Sequence, residues 1–265
     1  WREYDATGTI WLRHFYIRRF RRLAPAFFTM IAVTAALGWA ILLPFEYREF
    51  GKSIIASTVY LSNVLFFREA GYFDSASEEK PLLHTWSLAV EEQFYIILPL
   101  FILSIAKIAK KNYFLPLSLA LALSFGISIF FTKEFPTSSF YLLHTRAWEL
   151  LIGSLLALKV IPELKNLKYR NITSLAGLSC VIFSILTFDE HTVFPGYAAL
   201  LPTLGAALLI YSGGDEGSSI GRLLSVRPIV FIGLISYSLY LWHWPLVVAI
   251  FYFALPTPYI YLGIG

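Results

Sequence analysis

Cysteine and methionine are nearly absent, with one of each in 265 residues. Cys180 sits in the apolar run Leu178–Phe183 and has no second cysteine to pair with, which excludes an intramolecular disulfide framework and a cysteine-based zinc site. Its reading is packing. Charge is scarce as well: Asp, Glu, Lys and Arg make up 14% of the chain, where soluble domains carry about 25%. The sequence holds no nucleophile elbow of the G-x-S-x-G type, no Walker loop and no H-E-x-x-H zinc motif. It has no internal repeat, no low-complexity stretch and no loop long enough to house a soluble domain. Any chemistry must therefore take place in or at a membrane.

What is present is apolar. Hydrophobic residues make up 57% of the chain and the mean hydropathy is +0.66. A soluble protein of this length would still need a polar coat over that surface, and lipid removes the need. The fold class expected is all-α, a polytopic transmembrane helical bundle. About 20 apolar residues cross the hydrocarbon, and seven stretches qualify as full spans: Leu23–Leu43, Leu88–Ala106, Tyr113–Phe131, Phe140–Val160, Ile172–Phe188, Gly196–Tyr211 and Pro228–Phe253. Ser53–Phe67 is shorter, at about 22 Å as a helix against a core of about 30 Å.

Loop charge orients these spans. The net charge is +4, and the basic residues cluster beside apolar segments, a pattern of topology rather than of nucleic-acid binding. Arg13, Arg18, Arg19, Arg21 and Arg22 precede the first span and mark the cytoplasm. If Ser53–Phe67 enters and leaves on one side, 14 Lys and Arg fall inside and five outside. If it crosses, strict alternation leaves 8 inside and 11 outside, which violates the positive-inside rule. A re-entrant or tilted element is expected there, bordering a site. The chain opens on Trp1 without an initiator Met and closes within the apolar run Tyr259–Gly265, which leads us to expect a piece of a longer protein.

Four polar strings interrupt the apolar background. In Phe15–Pro25, Arg18/Arg21 and Arg19/Arg22 are each three apart, so each pair projects to one helical face. Such forks suit the phosphates of a nucleotide-like ligand, besides anchoring the chain. In His84–Tyr95, Glu91 and Glu92 lie in the first turns of a span, where the helix dipole lowers their cost. Arg146 and Glu149, spaced i, i+3, can neutralise each other. In Ser236–Pro245, His243 falls at membrane depth, and Tyr237 and Tyr240 share a face from which their hydroxyls could enter a cavity. His191, beside Asp189 and Glu190, reads as a solvated loop histidine rather than a metal ligand, and no metal is expected.

In order and spacing, Phe15–Pro25, His84–Pro99, Arg146–Gly153 and Ser236–Pro245 together resemble the acyltransferase family 3 membrane domain, which acylates bacterial surface polysaccharides. The strings Trp86-Ser87-Leu88-x-x-Glu91-Glu92-Gln93-Phe94-Tyr95 and Tyr240-Leu241-Trp242-His243-Trp244-Pro245 are the specific ones. The resemblance covers essentially the whole sequence. It implies that residues 1–265 are part of a membrane domain of about ten spans, lacking two N-terminal helices, the first of which bears the family's active-site histidine. The His84-Thr85-Trp86 lead-in is similar to the subfamily with an added extracytoplasmic SGNH-type domain.

For mechanism, the resemblance implies cytoplasmic acyl-CoA, most simply acetyl-CoA, as donor, with Arg19 and Arg22 holding its phosphates and Arg18 and Arg21 assisting. The acceptor would be a hydroxyl of a cell-surface glycan: lipopolysaccharide, peptidoglycan or exopolysaccharide. His84, Glu91 and Glu92, placed toward the outer side, suit acceptor handling; Tyr237 and Tyr240 suit an acyl relay, and His243 belongs with them as a catalytic candidate. Trp86, Ser87, Arg146 and Glu149 are candidates for substrate binding. The implied setting is the bacterial inner membrane, multi-pass, with lipid, acyl-CoA and glycan as partners and no nucleic acid. The alternative from another class is a transporter or flippase, with Arg146, Glu149 and His243 lining the path.

Overall fold

The computed structural model describes residues 11–70, 80–108, 113–158, 161–189, 191–213 and 217–252. The run Tyr259–Gly265, Lys110, Lys111, Lys159 and Glu190 lie outside the described residues. Among those described, all regular structure is α-helical: α1 Leu12–Ile41, α2 Pro44–Thr58, α3 Ser62–Glu69, α4 Thr85–Ile108, α5 Phe114–Glu134, α6 Pro136–Tyr141, α7 Leu143–Ala157, α8 Leu167–Thr187, α9 Leu200–Ser212, α10 Ser219–Leu224 and α11 Arg227–Tyr252. The chain is an all-α, multi-pass membrane protein.

Among the described residues, five helices are long and apolar enough to cross a membrane: α1, α4 over Thr85–Ala106, α5, α8 and α11. Two of the seven expected spans come out short. The Phe140–Val160 stretch breaks at Leu142, whose backbone is extended, leaving α7 with 15 residues. The Gly196–Tyr211 stretch begins its helix only at Leu200, leaving α9 with 13. These lengths correspond to about 22 and 20 Å. In the second case Gly196 adopts a positive φ, and its backbone N–H donates to Thr132 Oγ1 at 3.1 Å, so the chain turns before it winds.

The chain forms two compact units. One consists of the described residues of Ile10–Gln93 and Leu234–Gly265, the other of those of Phe94–Gly233. The second unit pairs α5 with α7 and α8 with α9. Ser124 Oγ donates to His144 O at 2.7 Å and accepts from the Trp148 N–H at 3.1 Å. In lipid such small polar residues carry helix association, because apolar faces gain nothing over the tails around them. Phe94, Ile105, Tyr113, Leu117 and Leu151 form its core.

The first unit has Phe27, Met30, Ile31, Phe50, Leu82 and Leu241 at its centre. Pro44 starts α2 at a position where its missing N–H costs nothing, and the Glu46 carboxylate accepts the Leu43 N–H at 2.8 Å. The expected non-spanning element at Ser53–Phe67 is divided between α2 and the eight-residue α3, so no single helix covers it. Tyr60, at the break, has φ +56°, a left-handed backbone that costs a residue with a Cβ about 1 kcal/mol. Hydroxyls tie the break to the start of α4: Ser57 Oγ to Thr85 Oγ1 at 2.8 Å, and Ser62 Oγ to Thr85 O at 3.0 Å.

Candidate functional site

The first unit gathers three of the four polar strings. Arg19 lies on the second turn of α1, and its side chain meets Glu92 of α4 in a bidentate pair: Nε to Oε1 and Oε2 at 2.9 and 3.0 Å, and an Nη to Oε1 at 2.8 Å. Both side chains are largely buried, at 22% and 12% exposure. Planar fork against carboxylate is the strongest form of this interaction.

This pair corrects one expectation. Arg19 and Glu92 were assigned to opposite sides of the membrane, whereas the ion pair puts them at one depth. The reason is that the arginines belong to α1 itself, a helix of 30 residues, about 45 Å long. The chain also returns at Leu82 to the level of Phe27, Met30 and Ile31 before starting α4. The helix bearing Glu92 therefore starts partway along α1 rather than beside its far end.

Directly before α4, His84 is 5% exposed and neither ring nitrogen makes a well-formed hydrogen bond among the described residues. Burial, reinforced by the neighbouring His243, pushes its pKa down to about 3, so the imidazole is neutral. Its ring centroid lies 5.5 Å from that of His243 and 5.6 Å from that of Tyr240. The Tyr240 hydroxyl donates to the His84 carbonyl at 2.7 Å and shares a very short hydrogen bond with Ser87 Oγ. A phenol has one proton, so Tyr240 gives it to the carbonyl and accepts from Ser87. The Trp244 indole N–H donates to Lys80 O at 2.9 Å and fixes this end of α11 to the turn.

His243 is exposed, and its Nδ1 lies 2.5 Å from the Tyr240 carbonyl. A carbonyl can only accept, so Nδ1 carries a proton, and in the neutral imidazole the lone pair is then on Nε2. That is the tautomer of a general base. Tyr237 donates to Leu23 O at 3.4 Å, and the charges of Glu92, Arg19 and Glu91 all act on it. The site thus has a charged end at Arg19 and Glu92 and a histidine–tyrosine end at His84, Ser87, Tyr240 and His243.

The remaining candidates fall elsewhere. Arg21 and Arg22 are exposed on α1. Arg18, Arg21 and Arg22 lie within about 100° of one face, a grouping different from the two i, i+3 pairs of the sequence reading. Trp86 is half-buried at the start of α4, and Glu91 is exposed beside Glu92. Arg146 and Glu149 belong to the second unit, where they bond at 3.0 Å and the guanidinium lies over the rings of Phe140 and Phe194 at 5.8 and 5.4 Å. Among the described residues no group of three or more His, Cys, Asp or Glu could hold a metal ion.

Sequence reasoning passed over Tyr60 and Asn63, and quoted Gln93 in its string without giving it a role. The Gln93 side-chain N–H donates to Tyr60 O and to Asn63 Oδ1, each at 2.8 Å. The signal available was an asparagine within Ser53–Phe67, a run without a charged residue.

Comparison with known proteins identifies the family. Residues 8–264 match the model of the acyltransferase domain family. The peptidoglycan O-acetyltransferase OatA of Listeria monocytogenes is 33% identical over 92% of this chain and 41% of its own length. The putative peptidoglycan O-acetyltransferase YrhL of Bacillus subtilis is 36% identical over 89% of the chain and 39% of its own. A putative O-acetyltransferase of Staphylococcus aureus, strain COL, is 34% identical over 93% and 42%. The chain thus spans about two fifths of the length of these relatives. No solved structure matches. With the family model covering nearly every residue, and the site drawn from the strings that carry the resemblance, the chain belongs to the acyltransferase domain family.

Proposed function

We propose that this chain is the membrane part of an O-acetyltransferase that moves an acetyl group from cytoplasmic acetyl-CoA to a hydroxyl of a cell-surface glycan. Peptidoglycan is the first acceptor to test, because two relatives carry it in their names; lipopolysaccharide and exopolysaccharide follow. The setting is the bacterial cytoplasmic membrane. The observation that carries the reading is the convergence of the arginine string, the His84–Tyr95 string and the Ser236–Pro245 string in one unit, through Arg19–Glu92 and His84–Ser87–Tyr240–His243.

The residues divide the work by their engagement. Arg19 is paired with Glu92, and the donor's phosphates are assigned to Arg18, Arg21 and Arg22 because these three cations share one face of α1 and carry planar forks suited to phosphate. Glu92 is a neutralised carboxylate that fixes Arg19. His243 Nε2 accepts the proton of the attacking hydroxyl. Tyr240 and Ser87 hold the turn bearing His84 and set the floor of the site. An acyl relay on either tyrosine would require its proton to leave a backbone carbonyl first, that of His84 for Tyr240 and that of Leu23 for Tyr237.

The test is transfer from radiolabelled acetyl-CoA in membranes containing the full-length protein. Wild type should label glycan. The triple variant Arg18→Ala/Arg21→Ala/Arg22→Ala should raise the KM for acetyl-CoA at least tenfold, because it removes charge-assisted contacts, and His243→Ala should lower kcat about 10²-fold or more. Absence of labelled glycan in the wild type with any acyl-CoA would sink the reading in favour of transport.

A further inference from the structure

Tyr60 occupies the break between α2 and α3 with φ +56°, the one non-glycine residue of positive φ among those described. A conformation that disfavours every L side chain persists only where its surroundings hold it. Here they do. Gln93 of α4 grips the Tyr60 carbonyl and the buried Asn63 side chain together, and Asn63 is 1% exposed. Glycine or asparagine would make the same turn at lower cost. The turn by itself gives no reason for a phenol.

The phenol's surroundings give one. Its ring lies 6.5 Å from that of Phe27, and the charges of both Glu92 and Arg19 act on it. Phe27 belongs to the apolar cluster against which Tyr237 also packs. Three tyrosines therefore border the site, and two have committed their protons: Tyr240 to the His84 carbonyl and Tyr237 to the Leu23 carbonyl. The Tyr60 hydroxyl makes no hydrogen bond among the described residues. Burial and the Glu92 charge raise its pKa above the usual tyrosine value, so it remains a donor rather than a base.

We infer that Tyr60 is a hydrogen-bond donor of the acyl-transfer site, its hydroxyl directed at the carbonyl oxygen of the group under transfer. This rests on the proposed function. In the transfer the acceptor oxygen forms a bond to the acyl carbon, the carbon–sulfur bond of the thioester breaks, and the thiolate takes up the proton that the acceptor gave to the base. Negative charge gathers on the carbonyl oxygen in between, and a preplaced donor stabilises it there. Tyr60 neither gains nor loses a proton over the cycle.

The experiment uses the full-length protein in membranes with radiolabelled acetyl-CoA and peptidoglycan fragments. Tyr60→Phe, which keeps the ring and the backbone strain, should lower kcat about 10²-fold and leave both KM values within about twofold. Unchanged kcat, or a loss confined to KM, overturns the inference. If the Phe variant does not accumulate, 3,5-difluorotyrosine placed at position 60 decides. Its more acidic phenol should bring the alkaline loss of activity to lower pH, whereas a residue that only fills the turn would leave the pH profile where it was. A wild-type protein that transfers nothing defeats the proposed function itself, a result separate from any difference between the variants.

Discussion

Arg19 and Glu92 meet through three nitrogen–oxygen contacts of 2.8 to 3.0 Å inside a protein surrounded by lipid. Removing one partner of such a pair leaves the other charge without compensation, which in fully buried cases costs about 3–5 kcal/mol, while removing both together is far cheaper. Arg19→Met and Glu92→Leu should each destabilise the detergent-solubilised protein by about 2–3 kcal/mol, with the double variant closer to wild type than either. Thermal unfolding of the four proteins in a double-mutant cycle measures this. Additive losses would show that the two side chains do not support each other. The sequence showed both residues and the cost of a carboxylate in a span, but not that one answers the other. They are 73 positions apart, and pairing across that distance depends on where α4 starts relative to α1. Tyr60 was illegible for a related reason: its importance lies in a backbone angle and in the bond from Gln93, neither of which composition or periodicity records.

Between helices, α8 and α9 approach closely at Gly177 and Gly205. A Cβ on Gly177 would lie 2.8 Å from the Gly205 carbonyl oxygen, and one on Gly205 would lie 2.8 Å from the Gly177 carbonyl. These obstacles are backbone and cannot swing aside. Gly177→Ala should therefore push the helices apart and cost about 1–3 kcal/mol. Gly126→Ala on α5, where nothing lies within 4 Å, should be neutral or stabilise by up to about 1 kcal/mol through helix propensity. Denaturant or thermal unfolding of both variants checks the contrast, and equal effects would refute the tight crossing. Most elements were legible at this scale, since 20 apolar residues in lipid leave few options besides a helix. The breaks were not. Phe140–Val160, despite Arg146 and Glu149, and Gly196–Tyr211 both pass as spans on length and hydropathy, and their interruption at Leu142 and around Gly196 follows from turns that hydropathy does not register.

For the whole molecule, the basic residues orient the chain. On the topology expected from 14 Lys and Arg inside against five outside, the α10 region would lie in the cytoplasm and the α5–α6 junction outside. With Cys180 replaced by alanine, an impermeant maleimide on intact cells should label Glu134→Cys. It should label Ser219→Cys only after lysis. The opposite pattern would invert the topology and move the phosphate-binding face of α1 away from cytoplasmic acetyl-CoA.

Composition alone determined that the chain is all-α and membrane-embedded, because 57% hydrophobic residues with 14% charged ones can be solvated only by lipid. The motif strings determined the family, since their residues and order are one-dimensional properties. The tertiary structure decided which of the singled-out residues belong to one site. It joined His84, Ser87, Tyr240 and His243, set Arg19 against Glu92, and kept Arg146 and Glu149 in a pair of their own. The physical reason is that hydrophobic burial in lipid fixes that helices form but hardly distinguishes their depths and faces. Those are set by a few hydrogen bonds and ion pairs between residues far apart in the chain.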